Sequence, residues 1–166
     1  MNKTIDEVVA EACIRDIQMR YCRAVDRKDF DLLRTCFHAD ATLDYGLFSC
    51  GADEFIALAE ESLKAYLVTT HFTGNQLVEV KGDSAWAEHY TVATHRCPPD
   101  DTLPLHDFVT AIRYVDTVER RDGDWRIGRR VLALDWWRKD PVPEAGEGPG
   151  VQPGKRDRGD ASYAPA

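Results

Sequence analysis

The sequence predicts an α+β domain in which N-terminal helices close one face of a curved, mostly antiparallel sheet. Two observations carry that prediction. Apolar residues recur with helical spacing in three stretches between residue 5 and about residue 66, and four segments rich in Val, Thr, Tyr, Trp and Ile, separated by turn signals, follow as far as residue 137. A third observation sets the boundary. From Asp140 the composition collapses into PVPEAGEGPGVQPGKRDRGDASYAPA, dense in Pro and Gly with almost nothing to bury. Residues 1–139 therefore read as one domain, and residues 140–166 as a tail that is mobile or draped over a neighbouring subunit.

Thr4-Ile5-Asp6-Glu7 is a capping box, and Val8, Val9, Ala12, Cys13 and Ile17 behind it predict a long helix over residues 5–25. Asp29 can cap a short second helix over residues 30–37. Residues 41–48 alternate loosely and predict a strand ending near Gly46. Asp53 starts a third helix reaching about residue 66, with Phe55, Ile56, Ala59 and Leu63 on its apolar side. Strands are then expected over residues 67–80, 84–97, 107–121 and 124–137. They are separated by Lys81-Gly82-Asp83, a Pro98-Pro99-Asp100-Asp101 loop and the hairpin signal Asp122-Gly123.

With 166 residues the chain can bury a core of its own. Its formal net charge of -8 argues against nucleic acid or an anionic membrane as partner, because both would repel it. The N-terminus has no apolar signal core, and no apolar run approaches the roughly 18 residues of a spanning helix, so a cytoplasmic protein is expected. Five cysteines without CxxC pairs read as reduced thiols. Gly-rich phosphate loops, HExxH and paired metal-ligand cysteines are absent from the sequence, so neither a cofactor nor a metal is expected. The expected partner is a small-molecule substrate.

The chemistry concentrates in Ala24 to Tyr45 and in Thr70-His71-Phe72. A carboxylate, Asp26, closes the first helix; a phenol, Tyr45, follows on the first strand; His71 opens the second. An acid, a phenol and an imidazole converging on one pocket suffice to move protons beside a carbonyl. On a strand, Thr69, His71, Thr73 and Asn75 share one face, a polar row suited to a pocket wall, and Thr73 and Asn75 are expected to contact substrate. Tyr21 precedes Asp26 by five residues, about 140° of helical rotation, so the two converge only if the helix ends before Asp26. His89 reads as structural, and His38 and His106 as solvated loop residues.

Val25-Asp26-Arg27-Lys28-Asp29, Asp44-Tyr45, His71-Phe72-Thr73-Gly74 and Arg121-Asp122-Gly123-Asp124-Trp125-Arg126-Ile127 occur in this order. Over residues 8–137 the chain thereby resembles the SnoaL-like branch of the nuclear-transport-factor-2-like superfamily, and within it the scytalone dehydratases, bile-acid 7α-dehydratases and lindane dehydrochlorinases. The resemblance implies a cone: a bent sheet wrapped around a pocket plugged by helices. It implies Asp26 and His71 as the catalytic pair, Tyr45 as a substrate-binding phenol, Tyr21 as a catalytic tyrosine and His95 as a second active-site histidine. Arg130 falls near an arginine of two of these enzyme groups and is expected to bind substrate. Tyr21 stands where the dehydrochlorinases carry a lysine, which argues against dechlorination; Ile112 and Tyr114 argue against scytalone itself. A homo-oligomer follows, a trimer by likeness to the dehydratases or a dimer by the wider superfamily.

The expected function is a cofactor-independent dehydratase acting on a hydroxylated cyclic or polycyclic ketone. An isomerase or aldol-type cyclase could use the same dyad, and a non-catalytic ligand-binding or scaffold subunit could use the same fold.

Overall fold

The capping box forms as the sequence requires. In the computed structural model, which describes residues 2–143 and 151–163, Thr4 Oγ1 accepts the Glu7 N–H and the Glu7 carboxylate accepts the Thr4 N–H, starting α1 (Ile5–Arg27). Lys28 ends it in the left-handed conformation, φ 53°, with its N–H returned to the carbonyls of Ala24 and Val25. Asp29 Oδ1 then accepts the Leu32 N–H and starts α2 (Phe30–Thr35).

Strand β1 (Phe37–Asp44) begins directly afterwards, well before the alternation at residue 41 announces it. Its pairing with the last strand shifts between Phe37 and Thr42, and Phe37 and His38 are both buried, which erases the alternation at the strand's start. The short β2 (Ser49–Gly51), unforeseen in the sequence, leads into α3 (Ala52–Ser62) and a 3-10 turn (Leu63–Ala65). Four long strands follow: β3 (Val68–Lys81), β4 (Ser84–Cys97), β5 (His106–Arg121) and β6 (Asp124–Pro141). Asp122 and Gly123 both have positive φ, 53° and 89°, as a two-residue hairpin between β5 and β6 demands.

The six strands form one open, curled sheet in the order β2-β1-β6-β5-β4-β3, antiparallel throughout except where β1 runs parallel to β6. Register shifts between Thr73 and Gln76 on β3, and twice between β5 and β6, mark the bulges that bend it. The helices cover the concave face, where Ile14, Leu33, Leu43, Val118 and Ile127 are essentially unexposed. Inward positions on β4 are mostly small: Ala85, Ala87, Thr91 and Ala93. That economy of volume lets α1 pack close to the sheet and leaves space beside Ala93. The cone expected of this chain is thus the one it forms.

Several expectations need correction. His38 is buried on β1 and its Nε2 meets the Glu119 carbonyl at 2.9 Å; His106 opens β5, is 1% exposed, and holds the Pro104 carbonyl through Nδ1. Strand β6 reaches Pro141, past the domain boundary expected at 139. Residues 151–163 pack on their own subunit, with the Tyr163 hydroxyl donating to Asp29 Oδ2 at 2.8 Å and Arg23 donating to the Ser162 carbonyl. The remainder of the expected tail, residues 144–150 and 164–166, lies outside the described residues. Among the described residues no helix is long and apolar enough to cross a membrane.

Candidate active site

Between α1, α3 and the concave face of the sheet lies a cavity of about 600 Å³. Its walls are mainly apolar, with Val25, Phe55, Ile112 and Leu132 among them, and its polar groups are few: Tyr21, Tyr45, Tyr66, His71, His95 and Tyr114 stand out.

Asp26 lies in the last turn of α1 and is 9% exposed. Each of its oxygens accepts from His71: Oδ2 from the main-chain N–H at 2.9 Å, Oδ1 from ring Nδ1 at 2.7 Å. The double contact fixes both the strand and the ring against the helix end. With Nδ1–H committed to the carboxylate, the neutral ring keeps its lone pair on Nε2, the nitrogen left for the cavity that His71 lines. Asp26 itself does not line the cavity. This resolves the angular problem with Tyr21. Helix α1 continues through Asp26, and the two residues still serve one site because Asp26 reaches it through His71.

On the wall of the same cavity the hydroxyls of Tyr21 and Tyr45 are 3.1 Å apart. Whichever donates to the other, the accepting phenol keeps its own proton free for a ligand. Burial holds both phenols well above their usual pKa, so they are neutral donors. Arg130 opposes that shift from behind the wall. It is fully buried, donates to Asp116 through Nε and Nη2 at 2.8 and 2.7 Å and to Gln18 at 2.9 Å, and does not line the cavity. Its guanidinium carbon sits 4.2 Å from the centre of the Tyr21 ring and 4.3 Å from that of Tyr114. The expected substrate contact by Arg130 is corrected accordingly: it is fully buried outside the cavity lining, packs on the rings of Tyr21 and Tyr114, and acts on the phenols as a buried cation.

Thr73 and Asn75 also fall outside the cavity. The Thr73 hydroxyl bonds Cys22 Sγ and Thr91 Oγ1, sealing the seam between α1 and the sheet. Asn75 is exposed, because the bulge between Thr73 and Gln76 reverses strand parity there. His95, by contrast, lines the cavity: it pairs with Thr69 and so faces the same way as His71, with ring centres 5.6 Å apart. Burial, reinforced by His71, pulls its pKa down to about 4, and its Nδ1 has no hydrogen-bond partner among the described residues. His95 is therefore a neutral ring at neutral pH.

Tyr114, named from the sequence only as a departure from the scytalone dehydratases, also lines the cavity. Tyr114 pairs with His89 and Trp86 with Thr117, so the two have opposite parity and Tyr114 points inward. Strand alternation through Thr110, Ile112 and Tyr114 could have found it. Among the described residues no three His, Cys, Asp or Glu side chains cluster as metal ligands.

A curled sheet that holds a carboxylate-oriented imidazole and a phenol pair on the walls of one apolar cavity belongs to the nuclear-transport-factor-2-like, cystatin-like fold. The SnoaL-like domain family matches residues 6–131, and the chain belongs to that family. Among curated proteins none matches the chain in sequence. Solved structures share the fold at low identity. A hexachlorocyclohexane dehydrochlorinase, LinA type 2, is 21% identical with a TM-score of 0.74, covering 89% of this chain and 99% of its own. A Novosphingobium aromaticivorans protein assigned as a scytalone dehydratase is 22% identical with a TM-score of 0.71, over 84% and 97%. The Kribbella flavida protein Kfla4162 is 21% identical with a TM-score of 0.69, over 77% and 92%.

Proposed function

We propose that this protein is a cofactor-independent lyase that dehydrates a hydroxylated cyclic or polycyclic ketone. One observation carries the reading: the Asp26–His71 pair leaves Nε2 as a base inside an apolar cavity that also holds the Tyr21–Tyr45 phenol pair. Elimination is also the chemistry named for the dehydrochlorinase and the scytalone dehydratase assignment among the similar structures.

His71 Nε2 takes the proton α to the ketone, and the C–H electron pair becomes the enolate. The phenol pair donates to the enolate oxygen, and Asp26 stabilises the imidazolium. The enolate electrons then re-form the carbonyl and make the alkene as the β C–O bond breaks. The departing hydroxyl takes the proton from Nε2 and leaves as water, which restores the neutral ring. A positioned base contributes about 10²–10⁴-fold and each oxyanion donor about 10²–10³-fold. His95, neutral at rest, is poorly suited as the acid, so the His71 imidazolium serves both steps.

The test is water loss and deuterium exchange on a panel of β-hydroxy cyclic ketones, read by mass spectrometry for wild type and His71→Ala. Water loss that falls by about 10²-fold or more in the variant supports the lyase and its base. Exchange without water loss converts the assignment to an isomerase or cyclase. Full activity in His71→Ala overturns the mechanism.

A further inference from the structure

The C-terminal segment lays one half-buried side chain against the body of the domain. From it the Arg156 guanidinium reaches three separate elements. Nε donates to the main-chain carbonyl of Asp26 at 3.3 Å, in the last turn of α1, where helical carbonyls lack their own partners. Nη1 donates to the Tyr66 carbonyl at 2.6 Å and lies 3.4 Å from that of Leu63, at the exit from α3. Nη2 donates to Thr69 Oγ1 at 3.2 Å, a hydroxyl of residue 2% exposed, two positions before His71 on β3.

These three elements set the site. Helix α1 carries Asp26, β3 carries His71, and Tyr66 packs at a tilt against His95 with ring centres 4.7 Å apart. The segment is itself anchored. Asp160 accepts from the N–H groups of Lys155 and Ser162 and pairs with Arg27, while Arg158 and Tyr163 both donate to Asp29. Arg156 does not line the cavity, so it cannot serve as a substrate contact.

We propose that Arg156 is a positioning residue for the Asp26–His71 dyad: its guanidinium ties the helix end, the α3 exit and the start of β3 into one frame. The inference rests on the functional reading for its effect on turnover, but not for its effect on the histidines. A planar fork with several fixed donors can span these carbonyls where a single ammonium cannot. His95 is faced by His71 and Arg156, which disfavour its protonation, and by Asp26 and the Phe108 main chain, which favour it.

The deciding experiment is imidazole NMR of ¹⁵N-histidine-labelled full-length protein, wild type against Arg156→Gln and the milder Arg156→Lys, with no substrate present. Arg156→Gln is expected to raise the His95 titration midpoint and to shift or broaden the His71 Nδ1–H signal; Arg156→Lys should restore the His95 midpoint and leave His71 perturbed. On any ketone that wild type dehydrates, Arg156→Gln should lower kcat by roughly tenfold to a hundredfold with KM unchanged. Arg158→Ala, which loosens the segment without removing the guanidinium, should leave both histidine signals in place. Histidine signals in both Arg156 variants that superimpose on wild type would overturn the proposal, even if the melting temperature falls. If wild type dehydrates nothing, the lyase reading fails while the NMR result still decides the role of Arg156.

Discussion

Asp26 accepts two hydrogen bonds from one residue, and that makes its replacement more specific than a loss of charge. Asn offers one acceptor and one NH₂ group, so in Asp26→Asn either the His71 N–H or its Nδ1–H must face another donor. The expected result is a loss of stability of about 1–3 kcal/mol in denaturant titration. Turnover should fall with it, because the tautomer that exposes Nε2 is no longer enforced. Tyr45→Phe should act differently. It leaves Tyr21 in place as a donor, so kcat should drop by about 10²-fold or less in steady-state assays while the histidine titrations remain unchanged. Asp26, His71 and Tyr45 could be singled out because their residue types fall at the spacing of the enzymes the chain resembles; taken singly, each reads as an ordinary cap, strand or core residue. Asn75 could not be placed, since one bulge decides which face it occupies, and Thr73 keeps the expected face but spends its hydroxyl on Cys22 and Thr91. Arg130 was legible as a residue of interest but not as a buried cation, because nothing in its local sequence reveals the aromatic rings in front of it.

At the scale of elements, β4 stores an acid sensitivity. His89 and His95 both lie on it, pulled by burial to about 3 and about 4. Both rings are neutral in the fold, whereas in the unfolded chain they take up protons below about 6.5. As pH falls from 6.5 toward 4 the unfolded state therefore binds more protons than the folded one, and stability is lost; above 6.5 this contribution is constant. Melting temperature should decline across that window. His89→Leu should flatten the decline, since His89 is 1% exposed and neither ring nitrogen has a partner among the described residues. The long elements were legible: the capping box, the hairpin at Asp122-Gly123 and the four strands all stand within a few residues of where pattern places them. The start of β1 and the three-residue β2 were not, because irregular pairing removes the period on which such reading depends.

The whole molecule has two unlike faces. On the outer face of the sheet Phe72, Trp86, Tyr90 and Val92 share one parity and are 73%, 38%, 44% and 42% exposed, an apolar band of the kind that marks association. If this band mediates self-association, as a trimer or a dimer, light scattering after gel filtration should show the oligomer, and Trp86→Glu combined with Tyr90→Glu should shift it toward monomer. The Pro- and Gly-rich composition of the last residues pointed to a loose tail, and composition alone could not disclose that residues 151–163 return to brace the site. On the inner face the proposed base, His71, is carried on β3. If His71 Nε2 both receives the α-proton and returns a proton to the departing hydroxyl, both groups must leave from the side of the substrate ring that faces β3. The elimination is then syn. A substrate labelled with deuterium at the α-position cis to the hydroxyl should give unlabelled alkene, whereas its trans-labelled diastereomer should retain the label.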